Sequence, residues 1–285
     1  MVYFCADDYG ISKECNSRIE KCIESGVLNK ISVLPNGELE NFKQRLSKYD
    51  VKISLHINLI EGKPLSPTHD INMLVNDEGN FKYSFIGLLL LSLSHKRKQL
   101  KKQLYKEIKE QIVFWKKNMG ENPLWIDSHQ YTHMIPLIFK TLMQVIKDEG
   151  VDAQYLRIPN EPVTPYLLTP SVYTECSFIG LTKQCLLKFF TLINKKQFEK
   201  SNINTACFMG VMFSGKVTCK KIKNVLPRYL KIAKKQGRDI EIALHPGYSE
   251  AGESLIDGCR ADFKKFYLSP DRKTEYDTLM NFKFE

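Results

Sequence analysis

The chain opens with the stretch that decides its fold, VYFCADDYG at residues 2–10. Residues Val2–Cys5 are β-branched, aromatic or apolar, which predicts a buried strand. The strand ends at two adjacent carboxylates, Asp7 and Asp8, and Gly10 follows them. Acids at the carboxyl end of a parallel strand lie where α/β folds build their functional sites. The first ten residues therefore predict a strand of an α/β fold that carries an acidic site.

The two neighbouring acids can belong to one site only under a condition on the backbone. Successive side chains of a strand point to opposite faces, so Asp7 and Asp8 share an orientation only if the chain twists there. Gly10 permits such a turn. Alternatively, one acid caps the helix predicted to begin near Ser12. This stretch alone leaves both interpretations open.

Strand and helix patterns alternate along the rest of the chain. Strands are predicted at residues 2–5, 30–34, 52–57, 125–129, 154–158, 206–209 and 240–244. Helical patterns occupy residues 13–25, 38–49, 98–117, 136–149, 177–200 and 218–236. This rhythm predicts parallel strands with right-handed crossovers, and we expect an α/β fold, a (β/α) barrel of irregular or seven-stranded type. A doubly wound sheet is the alternative, but the sequence has no glycine-rich phosphate loop.

The length of 285 residues and the hydrophobic content of 43% allow one large α/β domain or two small ones. We expect a single domain over residues 1–285. Residues 58–83 lack periodicity and predict a long loop, which compact domains usually keep for function. The helical patterns at 85–93 and 98–117 predict a helical insertion at about residues 84–118. It covers either the rim of the barrel or a neighbouring subunit.

The formal net charge of +10 raises the question of a nucleic-acid partner. The lysines cluster at residues 96–117 and 216–235, in helical patterns that are typical of solvated faces. No helix-turn-helix, zinc finger or aromatic RNA-binding signature accompanies them. We therefore expect no nucleic-acid partner, with a basic nucleic-acid-binding protein as an alternative.

Cysteine usage and hydropathy predict a cytoplasmic protein. The eight cysteines are scattered, with none in a CxxC pair, which is typical of reduced thiols. The sequence begins directly in a strand, so we expect no secretory leader. The longest apolar run, Phe85 to Leu93, is about half of the roughly 20 residues that a membrane span needs. We therefore expect no membrane partner.

Polar side chains gather at the predicted strand ends. They are Asp7, Asp8, His56, Asp127, His129, Arg157 and His245. Strand ends of a parallel barrel converge on one rim, where two histidines and a carboxylate form a three-ligand set with open positions for water and substrate. Such a site activates water for hydrolysis, while a free acid accepts a proton and a further histidine donates one. Non-haem iron oxygenases use the same ligand set, so an oxygenase or a phosphoesterase remains an alternative.

Four separated motifs resemble, in order and spacing, those of the YdjC-like carbohydrate deacetylases. They are ADDYG at 6–10, LHINL at 55–59 with EGKP at 61–64, DSHQ at 127–130, and LHPGY at 244–248. The resemblance extends to about Tyr248, and the last thirty or so residues add little to it. It implies a barrel of the deacetylase type and a hydrolase that removes the N-acetyl group from an amino sugar or a small chitooligosaccharide.

The resemblance also implies a divalent metal ion, usually magnesium, and often a homodimer. Carried over to this sequence, the metal ligands are Asp8, His56 and His129. Asp7 is then the base that activates water, and His245 is the acid that protonates the departing amine. Imidazole ligands suit Zn²⁺, Co²⁺ or Ni²⁺ better than Mg²⁺, which prefers oxygen, so these ions are chemically plausible too.

Further residues receive supporting roles from the same resemblance. Asp127 orients a neighbouring imidazole or Arg157, unless it forms a structural salt bridge. Arg157 restrains Asp7 or binds the sugar, and Tyr9 adds a hydroxyl to the pocket. Tyr131 stands where family members often have a further histidine. We therefore expect His133 to form a capping or loop hydrogen bond.

Overall fold

The seven predicted strands form one parallel sheet in the computed structural model, which describes residues 1–120, 123–173, 175 and 178–283. The strands are β1 (Val2–Tyr9), β2 (Lys30–Val33), β3 (Lys52–Ile57), β4 (Leu124–Ser128), β5 (Ala153–Leu156), β6 (Cys207–Met209) and β7 (Ile240–Leu244). Their order in the sheet is β5-β4-β3-β2-β1-β7-β6. If the two edge strands, β5 and β6, are placed side by side to close a ring, the strands follow one another around it in chain order.

The sheet curls until its two edges meet. A parallel bridge joins Tyr155 of β5 to Asn204, shortly before β6. The amide of Leu156 donates to the carbonyl of Asn204 (3.0 Å), whose own amide donates to the carbonyl of Gln154 (3.1 Å). Because a doubly wound sheet reverses its strand order at a switch point, this circular order rules it out. The prediction of an irregular seven-stranded (β/α) barrel is confirmed.

Helices surround the curled sheet. They are α1 (Lys13–Glu24), α2 (Phe42–Leu46), α3 (Phe85–Leu93), α4 (Arg97–Met119), α5 (Pro136–Asp148), α6 (Thr164–Leu167), α7 (Pro170–Tyr173), α8 (Phe178–Glu199), α9 (Cys219–Gln236), α10 (Ala261–Tyr267) and α11 (Pro270–Asn281). Their apolar faces and the outward side chains of the strands form one hydrophobic core. Its burial supplies the main driving force for the fold.

The structure decides how α1 begins. The hydroxyl of Ser12 accepts a hydrogen bond from the amide of Cys15 (3.0 Å), as a helix cap does. Neither Asp7 nor Asp8 caps the helix, so the alternative role for the acidic pair is wrong.

The helix predicted at residues 38–49 is also wrong in extent, because only Phe42–Leu46 is helical. The amide of Glu38 donates to the carbonyl of Gly10 (2.6 Å), which ties this backbone to the end of β1. Asn41 has a φ of 51°, in the left-handed region. These two constraints exclude a helix before Phe42.

Helix α4 is the crossover helix between β3 and β4, and it packs against β3 and α5. Buried polar side chains on it hold the backbone of the loop at residues 58–83. Gln111 accepts from the amide of Asn58 (3.0 Å), and Glu107 accepts from the amides of Leu65 (3.1 Å) and Ser66 (2.9 Å). Helix α4 therefore fixes the backbone of the loop that leaves β3.

Candidate metal centre

The interior of the barrel is charged. Lys30, Asp127 and Glu241, on β2, β4 and β7, and Arg157, directly after β5, lie inside the barrel and are completely buried. The ammonium of Lys30 lies 2.7 Å from Glu241 and 3.3 Å from Asp127, and Arg157 Nε donates to Glu241 (2.9 Å). Burial disfavours both carboxylates, but Arg157 and Lys30 outweigh it and lower the pKa of Asp127 and of Glu241. Pairing of opposite charges offsets the free-energy cost of burying these side chains.

Aromatic rings close the amino-terminal end of the barrel. Trp125 stacks on Tyr155 with ring centroids 4.5 Å apart, and Tyr3 meets Trp125 edge-on at 5.3 Å. The ammonium of Lys30 lies 4.5 Å from the centre of the Tyr155 ring. These rings cover the amino-terminal side of the charged interior, and the opposite, carboxyl-terminal rim carries the polar residues of the strand ends.

At that rim, Arg157 holds Asp7 in a two-pronged ion pair. Nη1 lies 2.6 Å from Oδ2 of Asp7, and Nη2 lies 2.8 Å from Oδ1. Burial opposes ionisation of Asp7, but the charges of Arg157 and His56 outweigh it and lower the pKa. Asp7 is therefore a carboxylate with a fixed orientation.

Asp8 reaches the same rim because the end of β1 is irregular. Its φ of 68° lies in the left-handed region, and the register between β1 and β2 shifts between Ala6 and Tyr9. Such a backbone is unusual for a residue other than glycine and is concentrated at functional sites. The twist that a shared site requires is therefore present, and both Asp7 and Asp8 are buried.

Asp127 orients His56. The two residues are partners in the register of β3 and β4, and Nδ1 of His56 lies 2.6 Å from Oδ1 of Asp127. The other ring nitrogen, Nε2, faces Asp8 at 3.4 Å. Burial opposes the charged imidazolium, but the bond to Asp127 and the charge of Asp7 raise the pKa of His56 to about 9. A carboxylate behind the imidazole is the usual arrangement for a metal-binding histidine.

His129 lies against the same carboxylate. Its Nδ1 is 2.8 Å from Oδ1 of Asp8, and its ring is 5.4 Å from that of Phe263. Its Nε2 is buried and has no hydrogen-bond partner among the described residues. Burial lowers the pKa of His129 and favours the neutral ring, although Asp8 opposes this. A buried nitrogen without a partner is what a ligand position requires.

The three side chains fit a divalent cation. One ligand atom each from Asp8, His56 and His129 lie within 4.8 Å of one another. Two imidazoles and one carboxylate form the donor set of open metal sites. Two other acidic groupings in the barrel share Asp127, but Lys30 and Arg157 already neutralise it. The cluster at Asp8 is thus the candidate metal centre.

An arginine near the end of the chain, Arg272, completes this part of the rim. Arg272 of α11 is completely buried, and its Nη2 donates to Oδ2 of Asp8 (2.8 Å). The guanidinium lies 4.0 Å from the centre of the Tyr267 ring and 4.2 Å from that of Phe266. The last thirty residues therefore take part in the site, although they add little to the sequence motifs.

His245 stands beside the cluster at the end of β7. Ala6 and Leu244 are register partners, so Asp7 and His245 leave neighbouring strands at the same level. Nδ1 of His245 lies 3.4 Å from Glu275 of α11, which also accepts from the backbone amide of His245 (2.6 Å). The imidazole is partly exposed, whereas the ligand cluster is buried. His245 is therefore placed where a substrate can meet it.

Two of the predicted residues lie apart from this cluster. The hydroxyl of Tyr9 donates to Glu20 of α1 (2.6 Å), so the expectation that it adds a hydroxyl to the pocket is wrong. Tyr9 points away because the twist at Asp8 changes the alternation of side chains. His133 binds the Ser128 hydroxyl (2.5 Å) and the carbonyl of Arg157 (2.8 Å), which is the predicted loop hydrogen bond.

Sequence reasoning missed four charged residues of this site. They are Lys30, Glu241, Arg272 and Glu275. A signal existed for the first two, since each is a charge inside a predicted apolar strand, and such charges need a buried partner. No local signal identifies Arg272 or Glu275, because an arginine and a glutamate on a helix are usually solvated.

A cavity of about 450 Å³ opens beside the cluster. Gln130 and Phe263, on either side of His129, and Phe266, next to His245, contribute to its lining. The remaining wall includes Lys183, Met212 and the ends of α8 and β6. The cavity is the size of a small ligand site, and it reaches the immediate neighbours of His129 and His245.

The fold and the rim define the class, an α/β barrel with a candidate metal centre at the carboxyl ends of its strands. The family model for YdjC-like proteins matches residues 1–285. The chain belongs to the YdjC-like family, which confirms the resemblance seen in its motifs.

Curated relatives support this membership. A protein of Danio rerio named carbohydrate deacetylase is 26% identical, over 96% of this chain and 89% of its own. One of Xenopus laevis with the same name is 28% identical, over the same shares. A crystal structure from Enterococcus faecalis, of a protein provisionally assigned to cellobiose-phosphate cleavage, superposes with a TM-score of 0.66 and 17% identity. It covers 98% of this chain and 90% of its own, and it shows a shared fold.

Within the part of the chain that the structure describes, every helix is too short or too polar to cross a bilayer.

Proposed function

We propose that this protein is a metal-dependent hydrolase that removes the N-acetyl group from an N-acetylated amino sugar or a small chitooligosaccharide. One observation carries the proposal, the meeting of Asp8, His56 and His129 beside an anchored carboxylate, Asp7, with the partly exposed His245 at the end of the neighbouring strand β7. The names of the curated relatives support the same reaction class.

Asp8, His56 and His129 would hold the metal ion. A divalent cation there supplies a Lewis acid for the acetyl carbonyl and makes the attacking water more acidic. The family resemblance suggests Mg²⁺, but two nitrogen donors and one oxygen donor suit Zn²⁺, Co²⁺ or Ni²⁺ better. Asp127 keeps His56 in the orientation that leaves its Nε2 for the ion.

Asp7 is placed to accept the proton of the attacking water. Arg157 keeps it ionised and fixes both oxygens, and each oxygen retains a lone pair that the guanidinium does not use. A carboxylate held in this way is ready for proton transfer without reorganisation.

His245 is placed to protonate the leaving amine. When the carbon–nitrogen bond of the acetamido group breaks, the nitrogen needs a proton before it departs as an amine. Glu275 binds the backbone amide of His245 and lies 3.4 Å from its Nδ1, which leaves Nε2 for the substrate. A base and an acid at one rim, on neighbouring strands, suit amide hydrolysis.

Acetate release tests the proposal. Purified protein is stripped with a chelator, reloaded separately with Zn²⁺, Co²⁺, Ni²⁺ or Mg²⁺, and incubated with N-acetylglucosamine, diacetylchitobiose and triacetylchitotriose. We expect acetate release only from the reloaded protein, and faster with one of the first three ions. Absence of acetate with every ion, together with phosphate release from sugar phosphates or oxygen consumption, would identify a phosphoesterase or an oxygenase instead.

Three broader expectations belong to this proposal. We propose that residues 1–285 form one domain, that the protein acts in the cytoplasm, and that it is a homodimer. The seven cysteines within the described residues are free thiols, which supports a reducing compartment. Light scattering of the purified protein measures the subunit number directly.

A further inference from the structure

A second hollow of about 410 Å³ adjoins the cavity next to His129. We call it the apolar groove. It lies between α3 and α8, and its walls are Phe85, Ile86, Phe178, Ile179, Leu186 and Leu187. Polar atoms contribute little to it, so the groove offers a ligand apolar contact and almost no hydrogen bonds.

The apolar groove is continuous with the cavity of about 450 Å³ next to His129. Gln130, Ile179 and Lys183 line both hollows. Gln130 directly follows His129, whose ring packs against Phe263 in the wall of the same cavity. A ligand that occupies the cavity next to His129 can therefore extend past Gln130 into the groove.

Three of the apolar side chains that line the groove are exposed. Phe178 is 82% exposed, Ile179 is 79% exposed and Ile86 is 53% exposed. Large apolar side chains grouped around a hollow usually mark a binding surface, since covering them removes apolar area from water. Because the groove shares part of its wall with the cavity next to His129, a substrate that fills this cavity can also cover these side chains.

Apart from Thr182, the polar side chains that line the groove are Gln130 and Lys183, which the groove shares with the cavity. The ammonium of Lys183 lies 5.0 Å from the centre of the Tyr131 ring, and the amide of Gln130 is on the same boundary. This arrangement suits an amphiphilic ligand, whose sugar hydroxyls meet the polar boundary while its apolar part lies beyond.

We propose that the apolar groove binds an apolar aglycone, so that the preferred substrate is a glycoside of an N-acetylated amino sugar with an alkyl or aryl group. This inference rests on the proposed deacetylase function. It names the chemical class of substrate, since a free chitooligosaccharide would leave the groove empty.

Matched glycosides test the inference. The rate constant kcat/KM for acetate release is compared between the octyl and the methyl β-glycosides of N-acetylglucosamine, below the micelle concentration. We expect a preference of about tenfold or more for the octyl glycoside, since each buried methylene adds affinity. Equal rates for the two glycosides would overturn the inference and leave the deacetylase proposal standing.

Two pairs of variants locate the effect. Phe178→Ser lies in the groove, and Phe189→Ser makes the same change on the same helix at a residue that is 57% exposed and lies outside it. Likewise Ile86→Ser lies in the groove, and Leu93→Ser lies outside it on α3. We expect the groove variants to reduce the octyl preference at least fivefold, with methyl turnover unchanged, and the controls to keep it. Equal loss in the controls would overturn the inference.

A binding measurement separates the groove from the chemistry. Calorimetry with the octyl and methyl glycosides of the product, glucosamine, needs no turnover. We expect tighter binding of the octyl compound, and a smaller difference in Phe178→Ser. If the octyl compound binds more tightly but the enzyme assays show no acetate release, the deacetylase proposal is contradicted and the groove inference is not. Indifference to chain length, with a lower molecular mass of the Phe178→Ser protein in light scattering, would make the groove a subunit interface and overturn the inference.

Discussion

Arg272 and Asp8 are separated by almost the entire chain, and Nη2 of the arginine lies 2.8 Å from Oδ2 of the aspartate. The other oxygen of Asp8 faces His56 and His129. The same carboxylate is thus bound from one side by the end of the chain and from the other by the candidate ligands. Burial opposes its charge, but His129 and Arg272 hold the pKa of Asp8 well below its usual range.

Arg272→Gln tests the contribution of this ion pair to stability. The substitution leaves Asp8 without its cation, so we expect the free energy of unfolding of the metal-free protein to fall by about 3 kcal/mol. Lys273→Gln, on the neighbouring exposed residue, is expected to change it by less than about 0.5 kcal/mol. Urea denaturation measures both, and equal effects would contradict a role for the pair.

Substitutions of the candidate metal ligands and of the candidate base are expected to have different effects on the metal content of the protein. Asp8→Ala and His129→Ala remove donor atoms, so we expect both to lose the metal and the activity. Asp7→Asn keeps the three donors, so it retains metal while kcat falls by about 100-fold or more. His69→Ala, at a side chain that is 83% exposed, serves as the control. Plasma mass spectrometry and acetate assays measure the two properties; full activity in all three site variants would contradict the mechanism.

Lys30 and Lys52 provide a test of the charged interior. They are register partners on β2 and β3, but Lys30 is completely buried between acids and Lys52 is exposed. Lys30→Met removes the cation that Asp127 and Glu241 share, so we expect about 3 kcal/mol of destabilisation. Lys52→Met is expected to cost less than about 0.5 kcal/mol. If urea denaturation shows no loss of stability in Lys30→Met, Arg157 alone balances the charges of the acids.

His133 predicts a dependence of stability on pH. Burial lowers its pKa to about 4, from an ordinary value of 6.5. Below pH 6.5 the unfolded chain binds a proton at this residue and the folded chain does not, so stability falls as the pH falls toward 4. Between pH 7.5 and 5 this residue is expected to lower the free energy of unfolding by about 2 kcal/mol. His133→Gln should show a decline smaller by that amount in urea denaturation, and an unchanged slope would contradict the assignment.

Most of the fold can be read from the sequence because it depends on local patterns. The strands at Lys52–Ile57 and Ile240–Leu244 have the predicted bounds, since runs of alternating or continuous apolar residues fix them. The helix predicted around Phe42–Leu46 is shorter than its pattern, because a contact with the carbonyl of Gly10 is not local. Patterns of three to eight residues report burial, whereas such contacts depend on the whole fold.

By itself, the sequence predicted the alternation of strands and helices from local apolar patterns. Through the resemblance of its four motifs it also predicted the family and the grouping of Asp8, His56 and His129. Only the tertiary structure decided that Arg272 binds Asp8, that Lys30 lies among acids, and that the apolar groove joins the cavity next to His129. The physical reason is that the burial of a side chain, and the charges that surround it, depend on residues that are distant along the chain.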